Sequence, residues 1–132
     1  MAIPFPSDAW VKALCTQLNK TPAYQQAAAK WEGDLIFVIN ISGKDHYLYM
    51  DLWHGECRSA RELSDTAAVN AEFMISGPLP TWKRVIQGQL DPIRALAGQL
   101  KLKGNMLKIM KTPRAAIELV NCCKTLDTEW PA

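Results

Sequence analysis

The chain of 132 residues is 48% hydrophobic and 21% charged, a composition typical of a globular protein with one core. We therefore expect a single domain over residues 1–132. The formal net charge of +2 is small and no long run of Lys and Arg is present, so we expect no nucleic-acid partner.

Charge is nevertheless distributed unevenly along the chain. Residues 1–80 carry 9 acidic and 6 basic side chains, whereas residues 81–132 carry 4 acidic and 9 basic ones. A solvated basic face is the simpler interpretation. The alternative is a transient contact with an anionic membrane surface, which attracts clustered lysine and arginine.

The four cysteines are Cys15, Cys57, Cys122 and Cys123, and they lack the paired CxxC spacing of zinc and redox sites. The first residues contain no basic region followed by an apolar run, and no apolar stretch approaches the ~20 residues of a spanning helix. We therefore expect a cytoplasmic protein with reduced thiols.

Two helices are predicted before the first strand. Ser7 can cap a helix over residues 8–19, in which Trp10 and Leu14 begin an apolar stripe at four-residue spacing. A second helix is predicted over the alanine-rich residues 23–31. We expect the two helices together to form a lid over the sheet.

Four strands are predicted next. Residues 34–41 are β-branched or aromatic at successive positions, which is typical of a central strand covered on both faces. After a turn at residues 42–45, strands over residues 46–53 and 56–61 complete a three-stranded antiparallel meander, with the short, polar last strand at the edge. Residues 71–76 form the fourth strand.

The second part of the chain is predicted to be mainly helical. Apolar residues at helical spacing indicate a helix over residues 81–87, and an Asp-Pro pair starts another over residues 92–97. A short strand over residues 99–103 precedes a helical turn over residues 105–110 and a last helix over residues 113–124. This order predicts an α+β fold with about five strands, a largely antiparallel sheet and helices packed on one face.

This part of the chain contains a motif with four features in a fixed order. A glycine comes first, then a proline that begins a helix, then an alanine, and last a strand and turn bounded by glycines. The corresponding residues are Gly88-Gln-Leu-Asp-Pro92, Ala95 and Gly98-Gln-Leu-Lys-Leu-Lys-Gly-Asn-Met106. The order resembles the C-terminal motif of the sterol carrier protein type 2 family, and the likeness extends more loosely over residues 31–120. The interval from Ala95 to Gly98 is one residue shorter than in animal members. The chain also lacks a Ser-Lys-Leu ending, so it is more similar to a bacterial-type, stand-alone member.

The resemblance implies that the sheet and helices enclose an apolar tunnel for a small lipid ligand, without a cofactor. It implies that inward-facing apolar residues line this tunnel: Trp10, Leu14, Trp82, Ile86, Leu96, Leu102, Met106 and Met110. Periodicity alone predicts only that these residues point inward, and ordinary core packing is the alternative. Gly98 and Gly104 permit positive φ where helix and strand meet, and we expect them to shape the fold.

Residue patterns typical of catalysis are missing from the sequence. The serines lack a GxSxG motif, and the cysteines lack a nucleophile motif. His46 and His54 have no cysteine-rich or carboxylate-rich surroundings, so we predict neither catalytic nor metal-ligating residues.

The leading hypothesis is therefore non-enzymatic binding, and transfer, of a fatty acid, an acyl-CoA or a sterol-like lipid. The alternative is an accessory interaction module of a lipid-modifying assembly, with the same fold and a closed core. An enzyme is the third hypothesis. A bound lipid, or its absence, would distinguish the first two hypotheses.

Overall fold

The computed structural model describes residues 2–65 and 69–131. Along these residues the elements are β1 (Ile3–Pro4), α1 (Asp8–Leu18), α2 (Pro22–Ala27), β2 (Glu32–Ile41), β3 (Lys44–Trp53), β4 (Glu56–Leu63), β5 (Phe73–Pro78), α3 (Leu79–Ile86), α4 (Pro92–Gly98), β6 (Lys101–Lys103), α5 (Met106–Met110), α6 (Pro113–Thr125) and β7 (Thr128–Glu129).

The main sheet has five strands in the order β4-β3-β2-β5-β6. β2 pairs with β3, β3 with β4 and β5 with β6 in antiparallel fashion, whereas β2 and β5 run parallel. The predicted α+β class, the meander and the edge position of its third strand are confirmed. A separate pair of short parallel strands, β1 and β7, joins the two ends of the described chain and was not predicted.

The central strand β2 is covered on both faces, as its composition predicts. Leu35, Phe37 and Ile39 belong to the large core that contains the helices. Ile36 and Val38 belong to a smaller cluster on the opposite face. A strand buried on both sides needs apolar residues at successive positions, which explains the continuous run in the sequence.

Two-residue turns set the register of the meander. Ile41 pairs with Lys44, so the first turn contains only Ser42 and Gly43, both at positive φ. The expected turn over residues 42–45 was therefore too long, because a two-residue turn with two positive φ angles matches the twist of the flanking strands. Gly55 lies in the second such turn, and an added Cβ would lie 2.6 Å from the Gln25 carbonyl oxygen of α2.

The starts of α1 and α4 are capped as the sequence predicts, whereas the Thr112 side chain before α6 makes no capping hydrogen bond. The Ser7 side chain accepts a hydrogen bond from the Trp10 amide, and Asp91 accepts from the first turn of α4. In contrast, α2 ends at Ala27, well before the expected residue 31. Residues 28–30 form turns instead, and the extended chain begins near Trp31, whose carbonyl accepts a hydrogen bond from the His54 amide at 2.7 Å.

The expectation of reduced thiols is wrong for two of the four cysteines. Cys15 of α1 and Cys57 of β4 form a disulfide with a Cα–Cα distance of 5.3 Å. The Asn19 side chain reinforces this junction, because it donates to the Cys57 carbonyl at 2.9 Å and accepts from the Cys57 amide at 2.8 Å. Sequence spacing cannot reveal such a pair, since the two cysteines are 42 positions apart.

Thiol titration tests this disulfide. Protein unfolded in guanidinium without reductant should react with a thiol reagent at two sites per chain, Cys122 and Cys123, which are the free cysteines of the fold. Prior reduction should raise the number to four, which is the cysteine content of the chain. Four reactive thiols without prior reduction, in protein purified under air, would contradict the bond between α1 and β4.

Candidate functional site

An apolar cavity of about 90 Å³ lies between the sheet and its layer of helices. Three strands form one wall, with Leu35 and Phe37 from β2, Leu52 from β3, and Phe73 and Ile75 from β5. The other wall comes from the helices and adjoining turns: Tyr24, Trp31, Trp82, Val85, Pro92, Leu96, Leu100, Ile109, Thr112, Ala115, Ala116, Leu119 and Val120.

Two tryptophans in the wall have their polar groups occupied by the backbone. The Trp82 indole N–H donates to the Val38 carbonyl at 3.0 Å, and its ring centroid lies 4.7 Å from that of Phe37. The Trp31 N–H donates to the Gly33 carbonyl at 3.0 Å. Because both N–H groups are satisfied, the two rings present apolar surface to the cavity.

The cavity lining is least buried between α4 and α6, which marks this side as its opening to the surface. Most lining residues are buried, but Pro92 of α4, Thr112 before α6, and Ala116 and Val120 of α6 are half-buried. Small side chains at such an opening leave space for a ligand to enter. This opening is called the α4–α6 mouth below.

The cavity wall is electrically neutral. Among the described residues that line it, none carries a formal charge, and the hydroxyl-bearing side chains are Tyr24 and Thr112. Burial raises the pKa of the Tyr24 phenol well above its ordinary value, with a smaller contribution from the neighbouring Cys122. The described residues contain no group of three or more His, Cys, Asp or Glu side chains that could hold a metal ion. Burial of apolar surface is the chemistry that this arrangement favours.

The structure brings only part of the predicted tunnel residues to this cavity. Trp82 and Leu96 line it, and their role in ligand binding stays a prediction. Trp10 and Leu14 are fully buried but lie elsewhere in the core, because α1 packs over β4 and β3. The lid expected from the first two helices is therefore divided, and only α2 reaches the cavity. Ile86 is buried beside Cys123, Leu126 and Trp130, among the residues of a separate surface pocket.

The three remaining predicted residues lie outside the cavity wall. Leu102 of β6 and Met106 of α5 are partly buried and pack against the core. Met110 is 46% exposed, so its predicted inward orientation is wrong. Ile109 takes the inward position of the short helix α5, and the next residue along a helix points about 100° away.

Sequence reasoning missed most of the cavity wall. Alternation along the strands was a usable signal, since Leu35 and Phe37, and likewise Phe73 and Ile75, share the face that meets the helices. The small residues Ala115 and Ala116 gave no such signal. These alanines matter because their small side chains leave space. Periodicity predicts which residues point inward, but it does not distinguish a residue that lines a cavity from one in a packed core.

A five-stranded sheet that borders an uncharged cavity under a layer of helices defines a small α+β domain able to bury an apolar ligand. The family model of the SCP-2 sterol transfer family matches residues 11–116, and the chain belongs to this family. Domains of this family are in general non-catalytic folds that bind or transfer lipids.

Solved structures agree with this assignment. A crystal structure of sterol carrier protein 2 is 35% identical, with a TM-score of 0.84, and the match covers 91% of this chain and 97% of that chain. A conserved hypothetical protein from Thermus thermophilus, described as possibly a sterol carrier protein, is 35% identical with a TM-score of 0.83, over 94% and 90% of the two chains.

A more distant match shares the fold alone. A UbiJ-SCP2 ubiquinone synthesis protein is 17% identical with a TM-score of 0.56, and the match covers 92% of this chain and 96% of that chain. A search of the curated proteins finds no significant match. None of the helices in the described parts of the chain is long and apolar enough to cross a membrane.

The glycines of the family motif differ in what they contribute to the cavity. Gly104 has φ of 134°, and an added Cβ would lie 2.6 Å from the Phe73 ring, which forms part of the cavity wall. Gly98 is not among the residues with positive φ, and an added Cβ there would meet nothing within 4 Å. Both glycines were expected to shape the fold through a positive φ angle. This prediction is confirmed for Gly104 and is wrong for Gly98.

This difference predicts opposite effects of the same substitution. Gly104→Ala should lower the free energy of unfolding by at least about 2 kcal/mol, because it combines backbone strain with a clash against Phe73. The matched control Gly98→Ala lies in the last turn of α4 and should gain about 0.5–1 kcal/mol. Urea unfolding of both variants measures the difference, and equal effects would contradict the close contact between Gly104 and Phe73.

Proposed function

We propose that this protein is a non-enzymatic lipid carrier that takes the acyl chain or ring system of one lipid molecule into the cavity through the α4–α6 mouth. The single observation that carries the proposal is the uncharged, largely apolar wall between sheet and helices. Burial of about 300 Å² of apolar ligand surface contributes several kcal/mol, at roughly 25 cal/mol per Å². Such a gain supports reversible binding in the micromolar range after ordering costs.

The size of the cavity adds a condition to this proposal. At about 90 Å³ it is smaller than ordinary ligand pockets, which have volumes of about 300–1,000 Å³. A lipid must therefore move helices or side chains apart as it enters. Movement of α4 against α6 is the simplest route, since the half-buried lining residues Pro92, Ala116 and Val120 lie there.

A second candidate function is an accessory module of a lipid-modifying assembly. The small volume of the cavity favours it, because a cavity that does not widen would be too small to bind a lipid. The likeness to a ubiquinone synthesis protein is compatible with it but shows the fold alone. The two candidates differ in one measurable respect, which is entry of a lipid between the helices.

Energy transfer from tryptophan tests lipid entry. Trp31 and Trp82 line the cavity, so a long-chain alcohol labelled with pyrene should accept their emission in a saturable titration. Ala116→Phe should weaken this binding at least about tenfold, because the added ring occupies the mouth. Ala97→Phe is the matched control, since Ala97 is exposed on α4 and outside the cavity wall, and it should bind the probe like the unmodified protein.

Two results would count against the carrier. Absence of any saturable transfer in the folded protein would favour the accessory module. Equal losses in the Ala116→Phe and Ala97→Phe variants would place the binding site elsewhere, on the surface or beneath another helix.

We also propose that α5 and the adjoining strand β6 contact an anionic membrane during lipid exchange. Leu107 is 71% exposed and Met110 is 46% exposed, so α5 presents an uncovered apolar face. Residues 101–114 contain five basic side chains and no acidic one. Such an arrangement favours binding to an anionic bilayer, because the apolar side chains can insert into the lipid and the lysines attract the negatively charged headgroups.

The structure also fixes α5 to the body of the protein. The Lys108 ammonium donates to Glu72 at 2.7 Å and to the Glu32 carbonyl. Ile109 of the same helix lines the cavity, and Thr112, which follows it, lies at the α4–α6 mouth. A membrane bound to α5 would therefore lie beside the entrance to the cavity.

Vesicle sedimentation tests this contact. Binding to vesicles of phosphatidylglycerol and phosphatidylcholine should weaken as salt is raised, because the lysine contribution is screened. Leu107→Glu should lower vesicle affinity at least about tenfold, since it removes an inserted apolar group and adds a negative charge. Thr16→Glu, which introduces the same charge on the exposed side of α1, serves as the control. Identical losses in the two variants would contradict a specific role of α5.

A further inference from the structure

Among the described residues, each buried tryptophan has a partner for its indole N–H, and the buried Tyr24 is the exception among aromatic residues with a polar group. The indole N–H of Trp10 donates to Thr128 at 2.9 Å, and those of Trp31 and Trp82 donate to backbone carbonyls at 3.0 Å. The Tyr49 hydroxyl, on the opposite face of the sheet, donates to Asp34 at 2.9 Å. Pairing of this kind is expected, because a buried donor without a partner is costly.

Tyr24 of α2 is 1% exposed and lines the cavity. Within the described parts of the chain its hydroxyl makes no hydrogen bond to protein atoms. No side-chain oxygen or nitrogen among the described residues is both sealed from solvent and unpaired. The unpaired Tyr24 hydroxyl therefore borders open space, and the cavity is the space that this buried residue lines.

The position of Tyr24 is fixed by close packing on both sides of α2. The backbone at Gln25 lies so close to Gly55 that a Cβ there would clash. On the other side, α2 contacts α6. These contacts hold the backbone of α2 in place, and the cavity is therefore the route by which a ligand would reach the hydroxyl.

The surroundings of the hydroxyl determine what kind of partner it can bind. Thr112 is the other hydroxyl-bearing residue of the described wall, and it is half-buried at the mouth where water reaches it. Burial raises the pKa of the neighbouring Cys122 thiol, so that group is neutral. An ionised carboxylate or phosphate beside Tyr24 would be buried without a cation, which strongly disfavours it.

We propose that Tyr24 is the polar anchor of the cavity and that its hydroxyl hydrogen-bonds the single uncharged oxygen of a neutral lipid, such as an alcohol, a ketone or an ester. This inference rests on the proposed lipid-binding function and narrows its ligand class. A phenol can both donate and accept, so hydroxyl and carbonyl oxygens are both suitable. Binding of an ionised fatty acid with its carboxylate inside the cavity is disfavoured.

A comparison of two ligands of equal chain length tests the anchor. Tyr24→Phe should weaken binding of 1-dodecanol about three- to tenfold and leave binding of dodecane unchanged, because only the alcohol loses a hydrogen bond. The thermal stability of the Tyr24→Phe variant should be unchanged or higher, since the hydroxyl has no partner in the unliganded fold. Tyr49→Phe is the matched control. It should lower thermal stability through loss of the bond to Asp34 and leave both ligand affinities unchanged.

A second measurement needs no variant. The unmodified protein at pH 8 should bind 1-dodecanol at least about tenfold more tightly than dodecanoate, which is ionised there. A preference for dodecanoate would overturn the proposal, as would equal effects of Tyr24→Phe on the alcohol and the alkane. If the unmodified protein binds neither the alcohol nor the alkane, the carrier function itself fails. If it binds both but Tyr24→Phe changes neither affinity, only the anchor fails.

Discussion

β2 is paired on both sides and buried on both faces, and this double burial constrains the rest of the fold. Ile36 is fully buried on one face, and Ile39 is fully buried on the other. A strand in this position requires a neighbour at each edge, which β3 and β5 supply. It also requires a cover on each face, so the helices collect where Leu35 and Phe37 point.

The cavity follows from how the helices meet this sheet. α1 is held over β4 by the Cys15–Cys57 disulfide and by Asn19. At the other side, Trp82 fixes α3 by a hydrogen bond to Val38. Between these two attachments the wall of α6 contains Ala115 and Ala116, which are too small to fill the space above β2. The attachments of α1 and α3 therefore stabilise the fold, while the small side chains of α6 leave room for a ligand. Larger side chains at these positions would give closer packing of the core but would fill the cavity.

The architecture could be read from the sequence because it depends on patterns with a definite period. The run that became β2, the cap at Ser7 and the Asp-Pro start of α4 each have a local physical cause, and each was confirmed. The short motif around Gly104 also predicted the family of the chain, and the match to the family model confirmed it.

The cavity wall was harder to predict because it depends on distances between elements. Trp10 and Trp82 both lie on inward stripes, yet only Trp82 reaches the cavity, and no local pattern separates the two. Met110 was misplaced because a single helical turn offers too few residues to define a face. The Cys15–Cys57 pair and the unpaired hydroxyl of Tyr24 are also products of tertiary packing, and the sequence carries no sign of either.

Isotope-filtered nuclear Overhauser spectroscopy tests the central claim most directly, namely that a lipid binds between the sheet and the helices. With a ¹³C-labelled long-chain alcohol, cross-peaks should connect the ligand to both walls: to the Phe37 and Ile75 side chains of the sheet, and to Trp82 and Leu119 of the helices. Cross-peaks only to exposed residues such as Leu107, or to neither wall in a folded protein with ligand in excess, would contradict it.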